Sequence, residues 1–140
     1  MPAQRKPAVE DVIAVAEFRA ALRRFMRRSE RIARRSGLTP QRYSLLMMIK
    51  GAPGGDEQST VTELSDRLQL AQSTVTELVH RAEEAGLVER EQSQTDARVA
   101  HLRLTAEGER RFMSSFTELE AERAQLREAF AQIDGGVSVG

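Results

Sequence analysis

Apolar residues recur along this chain at two different periods. In the first third, Val15, Phe18, Leu22, Phe25, Ser29, Ile32 and Ser36 alternate steps of three and four residues. That spacing places them along one seam of a helix running from Val9 to about Ser36. Eight arginines between Arg19 and Arg35 cover its other faces, and Gly37 supplies a stop. Thr39-Pro40 restarts a helix, with Thr as N-cap and Pro at the first helical position, and this second helix runs to Gly51.

The stretch "GAPGGDEQS" is a loop by composition. After it, Thr62 is placed to cap a short helix, "ELSDRL", and "QLAQ" reads as a tight turn. A longer helix follows from Ser73 to about Ala85, stopped by Gly86. The period then changes to two. "LVEREQ" reads as a strand, "SQTDA" as a turn and Val99–Leu104 as the returning strand, with Val99, His101 and Arg103 on one face and Ala100, Leu102 and Leu104 on the other. From Thr105 one long helix is predicted to about Ile133. Its seam is Phe112, Phe116, Leu119, Leu126, Phe130 and Ile133, interrupted by Arg123.

Two short helices joined by a tight turn and followed by a ribbon describe a winged helix-turn-helix. The expected fold is mainly α with a small two- to three-stranded antiparallel wing, flanked by N- and C-terminal dimerisation helices. Residues 1–8 are expected as a disordered arm, 9–37 and 105–134 as the dimerisation helices, 38–104 as the DNA-binding module and 135–140 as a tail. In such a module the second helix lies in the major groove. Val75, Leu78, Val79, Ala82 and Ala85 form its apolar face, while Ser73, Thr76, Glu77 and His80 form the opposite one. Gln72, Ser73 and Thr74 stand at its N-terminus, where side chains reach base edges and amides meet phosphates.

Composition narrows the chemistry. The chain has 140 residues, enough for one domain, and no cysteine, which removes disulfides, Cys-ligated zinc and thiol redox sensing. His80 and His101 have no partner at metal-ligand spacing, and neither a nucleophile motif nor a Gly-rich phosphate loop occurs. A non-enzymatic protein without metal or cofactor is expected. The N-terminus lacks the apolar core of a secretory signal, and the longest apolar run, Leu45–Ile49, is far too short for a bilayer, so a cytoplasmic, membrane-free protein is expected. Net charge is zero but unevenly spread: residues 1–50 carry +8, residues 51–90 carry −5 and residues 91–140 carry −3.

The run "VTELSDRLQLAQSTVTELVHRAEEAGLVER", followed by "TDARVAHLRLTAEG", resembles the MarR family of bacterial transcriptional regulators, over roughly residues 38–112. Its most specific element is Asp96-x-Arg98, then five residues, then Leu104-Thr105-x-x-Gly108. The resemblance implies that Arg98 enters the minor groove, that Asp96 holds it, and that Thr105 ends the strand and caps the next helix. A narrow minor groove attracts a guanidinium, and a neighbouring carboxylate lowers the cost of ordering it. It also implies a homodimer acting as a ligand-responsive repressor on a pseudo-palindromic double-stranded DNA operator. The DNA-binding set is then Thr39, Arg42, Gln72, Ser73, Thr74, Thr76, Glu77, His80, Arg81, Arg90, Thr95, Asp96 and Arg98. A small aromatic or anionic effector would meet Phe18, Phe25, Arg28, Tyr43, Met47 and Met48.

The chain departs from the family pattern in places. Gln69 stands where many relatives have a turn Gly, and Ala71 where they have a capping Ser. Glu77, Glu89 and Ala97 replace frequent basic residues. From Gly51 to Leu104 there are five Arg against ten acids, electrostatically poor for a surface that must neutralise phosphates. The Arg-rich first helix and Arg42 are the expected compensation. The acidic module also supports an alternative, a winged-helix protein-interaction module without specific DNA binding.

Overall fold

The structure is a computed structural model that describes the backbone of residues 6–137 and side chains as far as Ile133. The elements run α1 (Val9–Arg35), α2 (Pro40–Lys50), α3 (Val61–Leu68), α4 (Gln72–Glu84), β1 (Val88–Gln92), β2 (Ala100–Leu104), α5 (Ala106–Glu118) and α6 (Glu120–Val137). The strands pair antiparallel, from Val88 opposite Leu104 to Gln92 opposite Ala100. Ser59 adds a third, one-residue rung by exchanging both backbone hydrogen bonds with Leu102. The predicted alternation holds on β2: Leu102 is buried and Arg103 exposed.

Local chemistry explains the element starts. Thr39 Oγ1 accepts from the Arg42 amide at 3.1 Å, and Pro40 occupies the first position of α2. The start of α3 corrects the sequence expectation. Thr60, not Thr62, is the cap: its hydroxyl accepts from the Glu63 amide while the Glu63 carboxylate accepts from the Thr60 amide, closing a reciprocal capping box. Helix α4 begins at Gln72, one residue earlier than expected, with Ala71 as an N-cap that offers no side-chain acceptor. Between them Gln69 adopts the left-handed conformation, φ 56° and ψ 46°. Its side-chain amide donates to the Asp66 carbonyl at 2.6 Å.

The C-terminal region corrects a second expectation. The single long helix is two, broken at Leu119. No Gly or Pro breaks it. Leu119 is fully buried, and Arg123 Nη1 donates to the Phe116 carbonyl, the acceptor that the amide of residue 120 would otherwise take. A side chain inserted into the helical ladder is a recognised cause of a kink. The Arg123 guanidinium also lies 3.7 Å from the Phe116 ring centroid, so the charge that interrupts the apolar seam is the group that packs at the break. Helix α6 continues to Val137, past the boundary expected at residue 134. The Gly135-Gly136 pair weakens a helix by about 1 kcal/mol per residue but does not by itself end one. Of the expected arm, residues 6–8 precede α1 and residues 1–5 lie outside the described residues. Of the expected tail, so do residues 138–140.

The core gathers Leu38, Leu45, Leu46, Ile49, Leu64, Val75, Val79, Leu87 and Leu102, all essentially inaccessible, with Ile32 from α1 and Phe112 from α5. Fully burying one such side chain contributes about 1.5–3 kcal/mol. Tyr43 stacks on Phe112, and Phe112 on Phe116, with ring centroids 5.4 and 5.5 Å apart. Helix α6 packs back along α1, joined by the Arg28–Glu122 ion pair at 2.5 Å and an edge-to-face contact between Phe18 and Phe130. The α1 seam is buried only at Ser29 and Ile32. Phe18, Leu22 and Phe25 are half-buried, and Val15 is exposed with its neighbours Val9, Val12 and Ile13.

Two substitutions test this account. A Cβ at Gly108 would lie 2.1 Å from the Leu87 carbonyl oxygen, which is backbone and cannot rotate away. Gly108→Ala is expected to cost about 1–3 kcal/mol, read as a fall of roughly 5–10 °C in thermal midpoint. Gln69→Gly should act oppositely. It relieves a left-handed backbone worth roughly 1–2 kcal/mol, of which about half returns as unfolded-chain entropy, so the midpoint should rise by a few degrees.

Candidate nucleic-acid interface

Helices α3 and α4 are held as a pair. The Ser65 hydroxyl donates to the Leu70 carbonyl across the turn, and Gln72 Nε2 donates to Thr62 Oγ1 at 3.1 Å. Arg67 fixes α3 to α2 by donating to the Met48 carbonyl at 2.8 Å and the Gly51 carbonyl at 3.2 Å. On α4, Val75, Val79 and Ala82 are buried, which turns Ser73, Thr76, Glu77, His80 and Arg81 outward into solvent. The exposed row contains an ion pair at helical spacing, Arg81 with Glu77 at 3.0 Å, and a contact of His80 Nε2 with the Glu84 carboxylate at 2.9 Å. Gln72 and Thr74 are exposed as well, but the Gln72 amide is already engaged by Thr62.

The wing tip is built around one carboxylate. Ser93 Oγ accepts from the Thr95 and Asp96 amides, forming a turn in which the Val99 amide donates to the Asp96 carbonyl at 3.0 Å. Asp96 Oδ1 then accepts from both the Arg98 amide at 3.0 Å and the Arg98 Nε at 3.3 Å. This double contact fixes the first part of the Arg98 side chain, yet the side chain is 91% exposed. It is a guanidinium held upright on a ribbon.

The base of the wing is joined to α4 and α5 at one corner. Thr105 donates its amide to the Leu87 carbonyl and its hydroxyl to the Gly86 carbonyl, and its Oγ1 accepts from the Gly108 amide at 3.0 Å. Gly86 is the left-handed residue that ends α4, with φ 74°. Thr105 is therefore helix cap, strand end and clamp on the end of α4 together.

The module's arginines are tied to its acids. Arg90 pairs with Glu83 at 2.9 Å and Arg103 with Glu91 at 3.2 Å, besides the Arg81 and Arg98 pairs. Thr39 is exposed and Arg42 half-buried at the start of α2, with no ion pair to Arg42 among the described residues. On α1, Arg19, Arg23, Arg24, Arg27, Arg31 and Arg34 are exposed.

The six residues expected at an effector site are not brought together. Phe25 and Arg28 line a groove of about 710 Å³ between α1 and α6, together with Arg24, Arg27, Arg31 and Leu126. Phe18 pairs with Phe130 beyond it. Tyr43 is core, and Met47 and Met48 pack against that core. Burial raises the Tyr43 hydroxyl pKa, and the hydroxyl has no hydrogen-bond partner among the described residues. No group of three or more acidic or imidazole side chains suited to a metal occurs among the described residues, and no helix there is long and apolar enough to cross a membrane.

This arrangement defines a winged helix-turn-helix protein. A family model described as the MarR family matches residues 36–99. A Bacillus subtilis (strain 168) protein, the uncharacterized HTH-type transcriptional regulator YsmB, is 37% identical over 71 residues. That match takes in 51% of this chain and 49% of YsmB, so the chain spans about half the length of this curated relative. The crystal structure of AbsC, a MarR family transcriptional regulator from Streptomyces coelicolor, superposes with a TM-score of 0.69 at 19% identity, over 96% of this chain and 94% of AbsC. The M. tuberculosis transcriptional regulator MosR, solved in complex with DNA, is 28% identical with a TM-score of 0.58, over 77% of this chain and 75% of MosR. Over residues 36–99 the chain is similar to the MarR family, whose winged helix-turn-helix fold it shares.

The wing geometry makes a local prediction. Asp96→Ala removes the acceptor of the Arg98 amide, so amide exchange at Arg98 should accelerate while the β1–β2 ladder keeps its protection. The thermal midpoint should move by less than about 2 °C, since exposed pairs contribute about 0–1 kcal/mol. Loss of protection along the whole ribbon would mean that the carboxylate holds the fold and not the tip.

Proposed function

We propose that this chain is a sequence-specific DNA-binding transcriptional regulator, acting as a homodimer and as a ligand-responsive repressor on a pseudo-palindromic operator. One observation carries the reading: the outward polar row of α4 and the upright Arg98 project from a single clamped corner at Gly86, Leu87 and Thr105. Ser73, Thr74, Thr76, Glu77 and His80 would meet base edges, with Gln72 and Arg81 at bases or phosphate. Thr39, Arg42, Arg90 and Thr95 would meet the backbone, and Arg98, oriented by Asp96, the minor groove. MosR, solved with DNA, supports the same use of the shared fold. The exposed apolar residues Val9, Val12, Ile13, Val15 and Phe130 on the terminal helices support dimerisation, because contiguous exposed apolar surface marks an interface. An anionic effector would find guanidiniums in the α1–α6 groove.

The acidity of the module supports a second reading, a protein-interaction domain. Titration with duplex DNA separates the two. A regulator binds with affinity that falls steeply with salt and prefers one sequence over a scrambled duplex. Indifference to both would favour a protein partner. Light scattering should give twice the 15.6 kDa chain mass.

The wing supplies the sharper test. Arg98→Ala should weaken operator binding by about 1–3 kcal/mol. Asp96→Asn should weaken it too, although it removes a negative charge near phosphate, because the freed guanidinium must be ordered again on binding. Affinities for one duplex at fixed salt decide this. Tighter binding by the Asp96→Asn protein would reject the orienting role.

A further inference from the structure

We propose that Glu77 is a base-reading residue that recognises a cytosine in each half-site through the 4-amino group in the major groove. This rests on the DNA-reading function proposed above and deepens it. The buried line of α4 is Val75, Val79 and Ala82, and at about 100° per residue Ser73, Glu77 and Glu84 lie diametrically opposite it. Glu77 therefore occupies the middle of the face that would enter the groove, one turn beyond Ser73, with its side chain 59% exposed. A carboxylate there is unfavourable against phosphates unless a base donates to it.

The choice of base follows from hydrogen-bonding capacity. An ionised carboxylate only accepts. The major-groove edges of guanine and thymine present acceptors and repel it. Adenine places the N7 acceptor beside its N6 amino group, a pair that suits a carboxamide. Cytosine offers its N4 amino group without an acceptor of its own beside it, the partner for Glu or Asp.

The structure also prepares the carboxylate. Arg81 Nε donates to Glu77 Oε1 at 3.0 Å, which fixes the rotamer and offsets the charge facing the phosphates. Glu77 Oε2 receives no hydrogen bond among the described residues and is free to accept from a base. The remaining acids of α4 lack this combination. Glu83 is turned toward Arg90 on the wing, and Glu84 sits at the C-terminal end beside His80.

The test is selection of bound sequences from a random duplex pool by the wild-type, Glu77→Gln and Glu77→Ala chains. Wild type should enrich cytosine at one symmetric position per half-site, on the order of tenfold over other bases. Glu77→Gln should move that position to adenine, and Glu77→Ala should erase its preference and leave the other positions unchanged. A second measurement does not depend on how the variants fold. Replacing that cytosine with 2-pyrimidinone, which lacks the 4-amino group, should lower wild-type affinity roughly tenfold. Motifs identical in all three chains, or wild-type affinity unchanged by the base analogue, would overturn the cytosine contact and leave DNA reading intact. A wild-type pool with no enriched motif would overturn DNA reading itself, and the contact with it.

Discussion

The whole surface proposed to meet DNA depends on a close approach of two backbones. The Leu87 carbonyl oxygen sits where a side chain at Gly108 would begin. That contact lets α5 dock directly on the corner between α4 and β1, and Thr105 then closes three hydrogen bonds there. Helix α4, the wing and α5 are therefore tied together at one corner. The helix runs away from the corner in one direction and the ribbon in another, each ending in its exposed chemistry. Backbone contact suits this task because it leaves no rotamer through which the angle between helix and wing could relax.

Electrostatics gives the module an unusual economy. Within Gly51–Leu104, the arginines at 81, 90, 98 and 103 each pair with an acid, and Arg67 caps α2. Such pairs contribute little to stability at an exposed surface. Their effect here is orientation: each acid limits where its guanidinium can point. On the proposed function, phosphate neutralisation, the main source of affinity for DNA, would then fall to cations outside Gly51–Leu104, on α1 and at the start of α2. The arrangement exchanges general attraction for preformed contacts, and Glu77 is its extreme case.

Much of this was legible in the chain. Thr39-Pro40, Gly37 and Gly86 announce helix ends through local backbone chemistry, and local chemistry does not wait for tertiary structure. Asp96-x-Arg98 and Leu104-Thr105-x-x-Gly108 pointed to the wing and its corner through the family resemblance that they carry. The Thr60–Glu63 capping box was readable as well, since Thr60 and Glu63 stand at the three-residue spacing of a reciprocal cap. The break at Leu119 was not readable. No breaker residue marks it, and it exists because Leu119 is drawn into the core while Arg123 takes a carbonyl from the ladder. The effector candidates share an aromatic, thioether or basic side chain, and residue type does not distinguish Tyr43 in the core from Phe25 in a groove. Only packing across α1, α5 and α6 does that.

The central claim is that α4 and the wing tip form one composite surface for duplex DNA. Backbone amide shifts of the labelled full-length chain, followed during titration with its selected operator duplex, test it most directly. The account predicts large changes confined to residues 72–81 and 93–99, developing together with one saturation curve, and smaller ones near Thr39 and Arg42. Perturbation centred on the α1–α6 groove or on Val9–Val15, with α4 and the wing tip unmoved, would contradict it.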